Sequence, residues 1–300
     1  MRAGITLTLW ALALCYAVGR VLQAFPGETP MLVIVALHVL PPALFALLHG
    51  AMLYRLRGIA IFMSLCLVVG NVFENLSIAT GFPFGHYYFT DVMGPKLLRV
   101  PVLLGLAYVG MGYLSWTLAC MILRETGRPL SGSRVFTLPL LASFVMVAWD
   151  LSMDAVWSTL VHGWIWLRGG AYFGVPVSNF LGWLLTVYIF YQLFGLYLHG
   201  RPANPAALPS GYWRLAVIFY GISAAGNLLV IPPAGLAVVR DPAGTQWKVS
   251  GIIGACALAS IFVMGAFALA AWVRLNDQAD TRHESVPPGS SAQGSTTFSP

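Results

Sequence analysis

GIAIFMSLCLVVGNVFENLSIAT, residues 58–80, is long and apolar enough to cross a bilayer, yet it carries a carboxylate, Glu74, near its end. A helix rises about 1.5 Å per residue, so about twenty apolar residues reach across the hydrocarbon. Residues 135–157, VFTLPLLASFVMVAWDLSMDAVW, read the same way and carry two more acids, Asp150 and Asp154. An acid at membrane depth is expensive unless a proton or a partner neutralises it, which makes each one a candidate functional group.

Similar runs occur at 3–24, 31–54, 101–123, 176–198, 213–239 and 250–273. With 58% hydrophobic and 9% charged residues in 300, the chain departs from soluble domains, of which about a quarter is charged. The fold class predicted is all-α, a polytopic transmembrane bundle of about eight helices over residues 1–275. Residues 276–300, polar and rich in Ser, Pro and Gly, are expected to be a disordered tail. The first run follows Met1-Arg2 like a secretory signal, but it continues to Ala24 without a small-x-small cleavage pattern and reads as a membrane helix. Pro41-Pro42 and Pro232-Pro233 predict kinks.

The formal charge of +6 comes from Lys and Arg scattered through short loops, which is a topology signal and not a nucleic-acid surface. Cys15, Cys66, Cys120 and Cys256 lie in four different runs without CxxC spacing, so neither a disulfide framework nor a zinc site is expected, and the redox compartment stays open. His38 and His49 share one run, whereas axial haem ligands usually come from facing helices. No P-loop, dinucleotide fingerprint, nucleophile elbow or zincin pattern occurs.

Two longer connections, 81–100 and 158–175, are crowded with aromatics and glycine and are expected to fold back over the bundle, since backbone at that depth needs protein cover. Counting helices between them brings Glu74, Asp150, Asp154 and Asn179 into one leaflet beneath both loops. Asp150 and Asp154, four residues apart, share a helix face and repel when both are ionised, so a dry site favours one shared proton. That places a proton donor beside an acceptor. Two blander readings compete. The acids lock helices together through Arg168, Asn75 or Asn179, or they hold Mg²⁺ or Zn²⁺ with His86 or His162. A single Asp-x-x-x-Asp motif with few cations near it argues against a diphosphate-binding metal site, and no metal is expected.

At these same residues the sequence resembles the carotenoid biosynthesis membrane protein family, whose characterised members are carotenoid 1,2-hydratases acting on acyclic ends of C40 or C50 carotenoids. The likeness covers about residues 30 to 240. It rests on ENLSIATGFPFGHY (74–87), WDLSMD (149–154) and GGAYFGVPVSNFLGW (169–183), with Ala155 where many relatives carry proline. It implies hydration of the terminal C1–C2 double bond without a cofactor, on a hydrophobic substrate drawn from the bilayer, with other carotenoid-pathway enzymes as candidate partners. Asp150 or Asp154 would protonate C2, and Glu74, Asn75 or Asn179 would hold the water. Rings from Trp157, Trp164, Trp166, Tyr172, Phe173 and Trp183 would stabilise the tertiary cation, worth about 2 kcal/mol each when desolvated. Phe82, Phe84, Tyr87 and Trp149 complete the expected substrate channel. A cyclase or isomerase, a prenyltransferase, a proton-coupled transporter and a carotenoid-binding membrane protein are the alternatives; which carotenoid reacts, at one end or both, and the oligomeric state are left open.

Ten of the sixteen cations fall on the side of the N-terminus, the loops after the second, fourth and sixth runs and the C-terminal flank, against six on the other side. Both termini are therefore expected in the cytoplasm. Reporter fusions at Pro129 and at the C-terminus should score cytoplasmic and one at Gly169 should score on the far side; Pro129 and Gly169 on the same side would break the helix count.

Overall fold

The structure, a computed structural model, describes residues 3–25, 27–127, 129–201, 208–229 and 237–284. It is an all-α bundle. The helices are α1 (Ala3–Leu22), α2 (Met31–Thr80), α3 (Val102–Ile122), α4 (Arg134–Ala155), α5 (Val177–Leu198), α6 (Ser210–Leu228), α7 (Val249–Ala259) and α8 (Gly265–Glu284). A π-helical turn, Val156–Leu160, prolongs α4, and another, Ser260–Met264, joins α7 to α8. Among the described residues six helices are long and apolar enough to cross a membrane. The shorter α6, which carries Arg214, Asn227 and three glycines, is not one of them.

The 50 residues of α2 would measure about 75 Å as one straight helix, more than twice the hydrocarbon thickness. The chain solves this at Arg55, whose φ of 59° and ψ of 170° interrupt the helix between arms 31–54 and 56–80. The kink thus lies at Arg55, while helix continues through Pro41 and Pro42. The arms match two of the apolar runs, so, with α7 and α8 taken as one segment through their π turn, the described residues form eight helical segments. Pro232 and Pro233 lie outside the described residues.

Helix α3 is apolar around its whole circumference and is buried from Ala107 to Met121, the pattern of a central helix. It packs against α2, α4, α6 and α8. Close approach to α2 depends on Gly110, where a Cβ would come within 2.8 Å of the Pro42 carbonyl carbon. His49 ties three helices together: one ring nitrogen meets the Tyr113 hydroxyl at 2.7 Å, the other the Tyr212 carbonyl at 2.9 Å. His38 likewise uses both nitrogens, on the Ile34 carbonyl and Gln23.

The two aromatic connections meet. Strand β1 (Tyr87–Phe89) pairs antiparallel with a strand from the second connection, joining Tyr87 to Trp166 and Phe89 to Trp164. Short hairpins of two and three residues per strand complete the loops: β2 (Lys96–Leu97) with β3 (Val100–Pro101), and β5 (Val238–Arg240) with β6 (Gln246–Lys248); the partner of β1 is β4 (Trp164–Trp166). Side chains alternate across a strand, so Tyr87, Phe89, Trp164 and Trp166 point into the bundle while Tyr88 is exposed.

Three expectations change. Residues 238 and 239, read as the end of an apolar helix, form β5 instead. Their β-branched side chains suit a strand, and Asp241-Pro-Ala-Gly244 closes the hairpin with a Gly244 N–H to Asp241 carbonyl bond of 2.9 Å. Helix α8 continues to Glu284, beyond the expected boundary at 275, because adding residues to an existing helix costs far less than nucleating one; residues 285–300 lie outside the described residues. Arg20, counted as a loop cation, is buried inside the bundle at 3% exposure.

The Gly110 contact gives a stability test. Gly110→Val must push α3 from the α2 backbone, at a cost of about 1–3 kcal/mol for overpacking, read as a lower melting temperature in detergent; an unchanged melting temperature would refute the tight crossing.

Candidate functional site

Glu74 lies under two turns from the end of α2, Asp150 and Asp154 on one face of α4, and Asn179 in the first turn of α5, which Pro176 starts. All four are buried, at 4, 1, 1 and 2% exposure. They line one cavity of about 30 Å³ with Phe84, Tyr87, Phe89, Leu104, Met153, Trp164, Trp166 and Trp183. That space accommodates a water.

The donors around the three acids are unequally distributed. Glu74 accepts from the Tyr108 hydroxyl at 2.7 Å on Oε1 and from the Tyr87 hydroxyl on Oε2. Asp154 accepts from the Trp164 indole at 3.0 Å on Oδ1 and from the Asn179 amide on Oδ2. The same amide donates to Asp150 Oδ2 at 3.1 Å, and Asp150 Oδ1 is buried with no protein partner. Two carboxyls therefore have a donor on each oxygen, as an anion requires, and the third has a free oxygen that can carry or receive a proton. Tyr87, in the loop, stays a donor, because burial and the neighbouring Glu74 push its hydroxyl far above the ordinary range.

Rings wall the site on several sides. Tyr108 stacks on Trp183 with centroids 4.6 Å apart and planes 4° from parallel. Trp183 meets Trp149 edge on, and Tyr87 packs on Trp166 at 4.8 Å. Leu104, Met153 and Trp164 separate this cavity from a second of about 50 Å³, whose other walls include Tyr16, Val35, Val39, Met93, Trp149 and Trp157. Arg20 and His38 also line it; Arg20 Nη2 donates to the Ser223 carbonyl and to Asn227, while Arg20 Nε is buried without a protein acceptor.

Of the residues anticipated from sequence, Glu74, Phe84, Tyr87, Asp150, Asp154, Trp164, Trp166, Asn179 and Trp183 line the first cavity, and Trp149 and Trp157 the second. Four line neither. Asn75 bonds Asn71 and accepts from the Arg99 N–H, tying a loop to α2. Phe82 is 57% exposed. Tyr172 donates to the Leu151 carbonyl and meets Phe173 edge on, which in turn packs on Trp247. His86 and His162, weighed as metal ligands, are also absent from both walls, and Arg168 makes no salt bridge to the acids. Among the described residues no three His, Cys, Asp or Glu side chains converge as metal ligands.

Tyr108 was missed by the sequence reading. The signal was present: α3 starts from the side of the aromatic loops, and Tyr108 lies about two turns in, at the depth of the acids.

A family model described as carotenoid biosynthesis protein matches residues 29–240. No curated protein matches, and no solved structure does.

Tyr108→Phe keeps the stack on Trp183 and removes one donor from Glu74. A hydrogen bond to a charged group contributes about 2 kcal/mol, so this variant should lower thermal stability in detergent; wild-type melting would mean that Glu74 does not depend on that hydroxyl.

Proposed function

We propose, starting from the fact that the chain belongs to the carotenoid biosynthesis protein family, that it is a hydratase adding water across the terminal C1–C2 double bond of an acyclic carotenoid end. The observation carrying this reading is the uneven hydrogen bonding of three carboxyls in one cavity. Hydrating a trisubstituted olefin takes a strong acid, a site that tolerates a tertiary cation, and a held water. Asp150, with its free Oδ1, is the acid.

Its proton goes to C2, and the π electrons of the double bond form the new C–H bond, leaving the cation at C1. The faces of Trp164, Trp166 and Trp183 stabilise that cation, and so do the two anions. A water beside Glu74 bonds to C1 through its oxygen and gives up its surplus proton to the Glu74 carboxylate. Passage of that proton back to Asp150 resets the site. Asp154, fixed by Trp164 and Asn179, keeps a negative charge beside Asp150, and the repulsion between the two favours the protonated form of the acid. The cycle as written consumes only water. The second cavity, walled largely by apolar and aromatic side chains, takes the polyene adjoining the reacting end.

Expression in a host that accumulates an acyclic carotenoid tests this directly. The product should gain the mass of one water, and turnover in D₂O should place one deuterium at C2. Asp150→Asn, nearly isosteric but without the acid proton, should lose about 10²-fold or more of turnover, the low end for a positioned general acid, while still inserting in the membrane. Glu74→Gln should leak products with shifted double bonds. Wild-type hydration by Asp150→Asn would sink the assignment, and a product of unchanged mass would indicate an isomerase or cyclase.

A further inference from the structure

Each turnover of the proposed hydratase consumes a water inside a site roofed by aromatic strands. A third cavity, of about 190 Å³, lies beyond Trp166. We propose that it is the water entrance of the carboxylate site, with the Trp166 indole as the partition; this rests on the hydratase reading.

The cavity is built of polar groups. Ser158 and Thr159 come from the π-helical turn that follows Asp154, and His162, Arg240 and Asp241 from the loops above. His162 and Arg240 are exposed, which opens its mouth to solvent. Asp241 is buried, held by the Thr245 N–H and the Trp247 indole, both at 2.9 Å. The space persists because position 174 is glycine: a Cβ there would lie 3.1 Å from Thr159 Oγ1 and 3.2 Å from the Asp241 Cβ, in a backbone with φ of +92°.

Trp166 walls both this cavity and the one holding the acids. Its buried indole N–H lies near the Asp154 carboxyl but outside good hydrogen-bond geometry to it or to any other protein acceptor, and buried donors of that kind are ordinarily completed by water. The π turn itself closes with a Val161 N–H to Val156 carbonyl bond of 2.9 Å. Such turns often occur at functional sites. Here it carries Ser158, whose hydroxyl donates to the Asp154 carbonyl at 2.8 Å, so a polar wall runs from the open cavity back to Asp154, the neighbour of the acid. Water and polyene thus approach from different sides.

Cysteine labelling tests the route. In protein whose exposed Cys15 is replaced by serine, Ser158→Cys, with Thr159→Cys as a second position, is treated with a charged, membrane-impermeant thiosulfonate. Both should react at least about tenfold faster than the buried control Ser143→Cys, since thiol reactivity follows water access. The adduct should cut hydrated product and raise the share of double-bond-shifted product, because the cation then loses a proton before water arrives; a reducing agent should restore the original ratio. Labelling no faster than the control, or full labelling with an unchanged product ratio, overturns the proposal. If the unmodified protein makes no hydrated carotenoid, the functional reading fails instead, and the labelling contrast still decides whether solvent reaches the π turn.

Discussion

A carboxylate placed in hydrocarbon has to draw most of its hydrogen bonds from protein, because bulk water is excluded. Much of the architecture around the acids of this bundle follows from that demand. Tyr108 on α3 and Tyr87 on a loop strand serve Glu74; Trp164 on the opposite loop strand and Asn179 on α5 serve Asp154. Each of those donors comes from a different element. The acids therefore act as the nodes through which helices and loops are held in register.

The paired loop strands gain a second significance from the same demand. Tyr87 and Trp164 lie on neighbouring strands with Phe89 and Trp166, and all four side chains face inward. One small ladder thus delivers two donors and four aromatic faces to a single cavity. A two-stranded ladder is marginal alone; here the buried rings and the hydroxyl and indole contacts to the acids anchor it. Polar groups and π faces are supplied together to that cavity.

Legibility in the sequence followed physical range. Helical spans were readable because a bilayer imposes length and apolarity on each span by itself, and the convergence of Glu74, Asp150, Asp154 and Asn179 was readable because rise per residue and alternation of direction are fixed. The path of a connection was not, so Tyr172 and Phe173, in the loop before α5, pack on Leu151 and Trp247 and line neither cavity. Nor was the pairing of two strands separated by the whole of α3 and α4. Arg20 shows the limit of counting charges: a cation near a helix end reads as a loop residue, yet Ser223 and Asn227 on α6 draw it into the interior. The break at Arg55 was visible only as a gap between apolar runs.

The sequence separations of these contacts bear on biosynthesis. Glu74 meets Tyr87 thirteen residues later and Tyr108 thirty-four residues later, while Asp154 meets Trp164 after ten and Asn179 after twenty-five. Every acid finds its donors within the next connection and the next span to leave the ribosome. A nascent chain inserting two spans at a time therefore never has to hold a bare carboxylate in lipid for long, and the polar centre assembles in order from Glu74 to Asn179, before α6, α7 and α8 have been made.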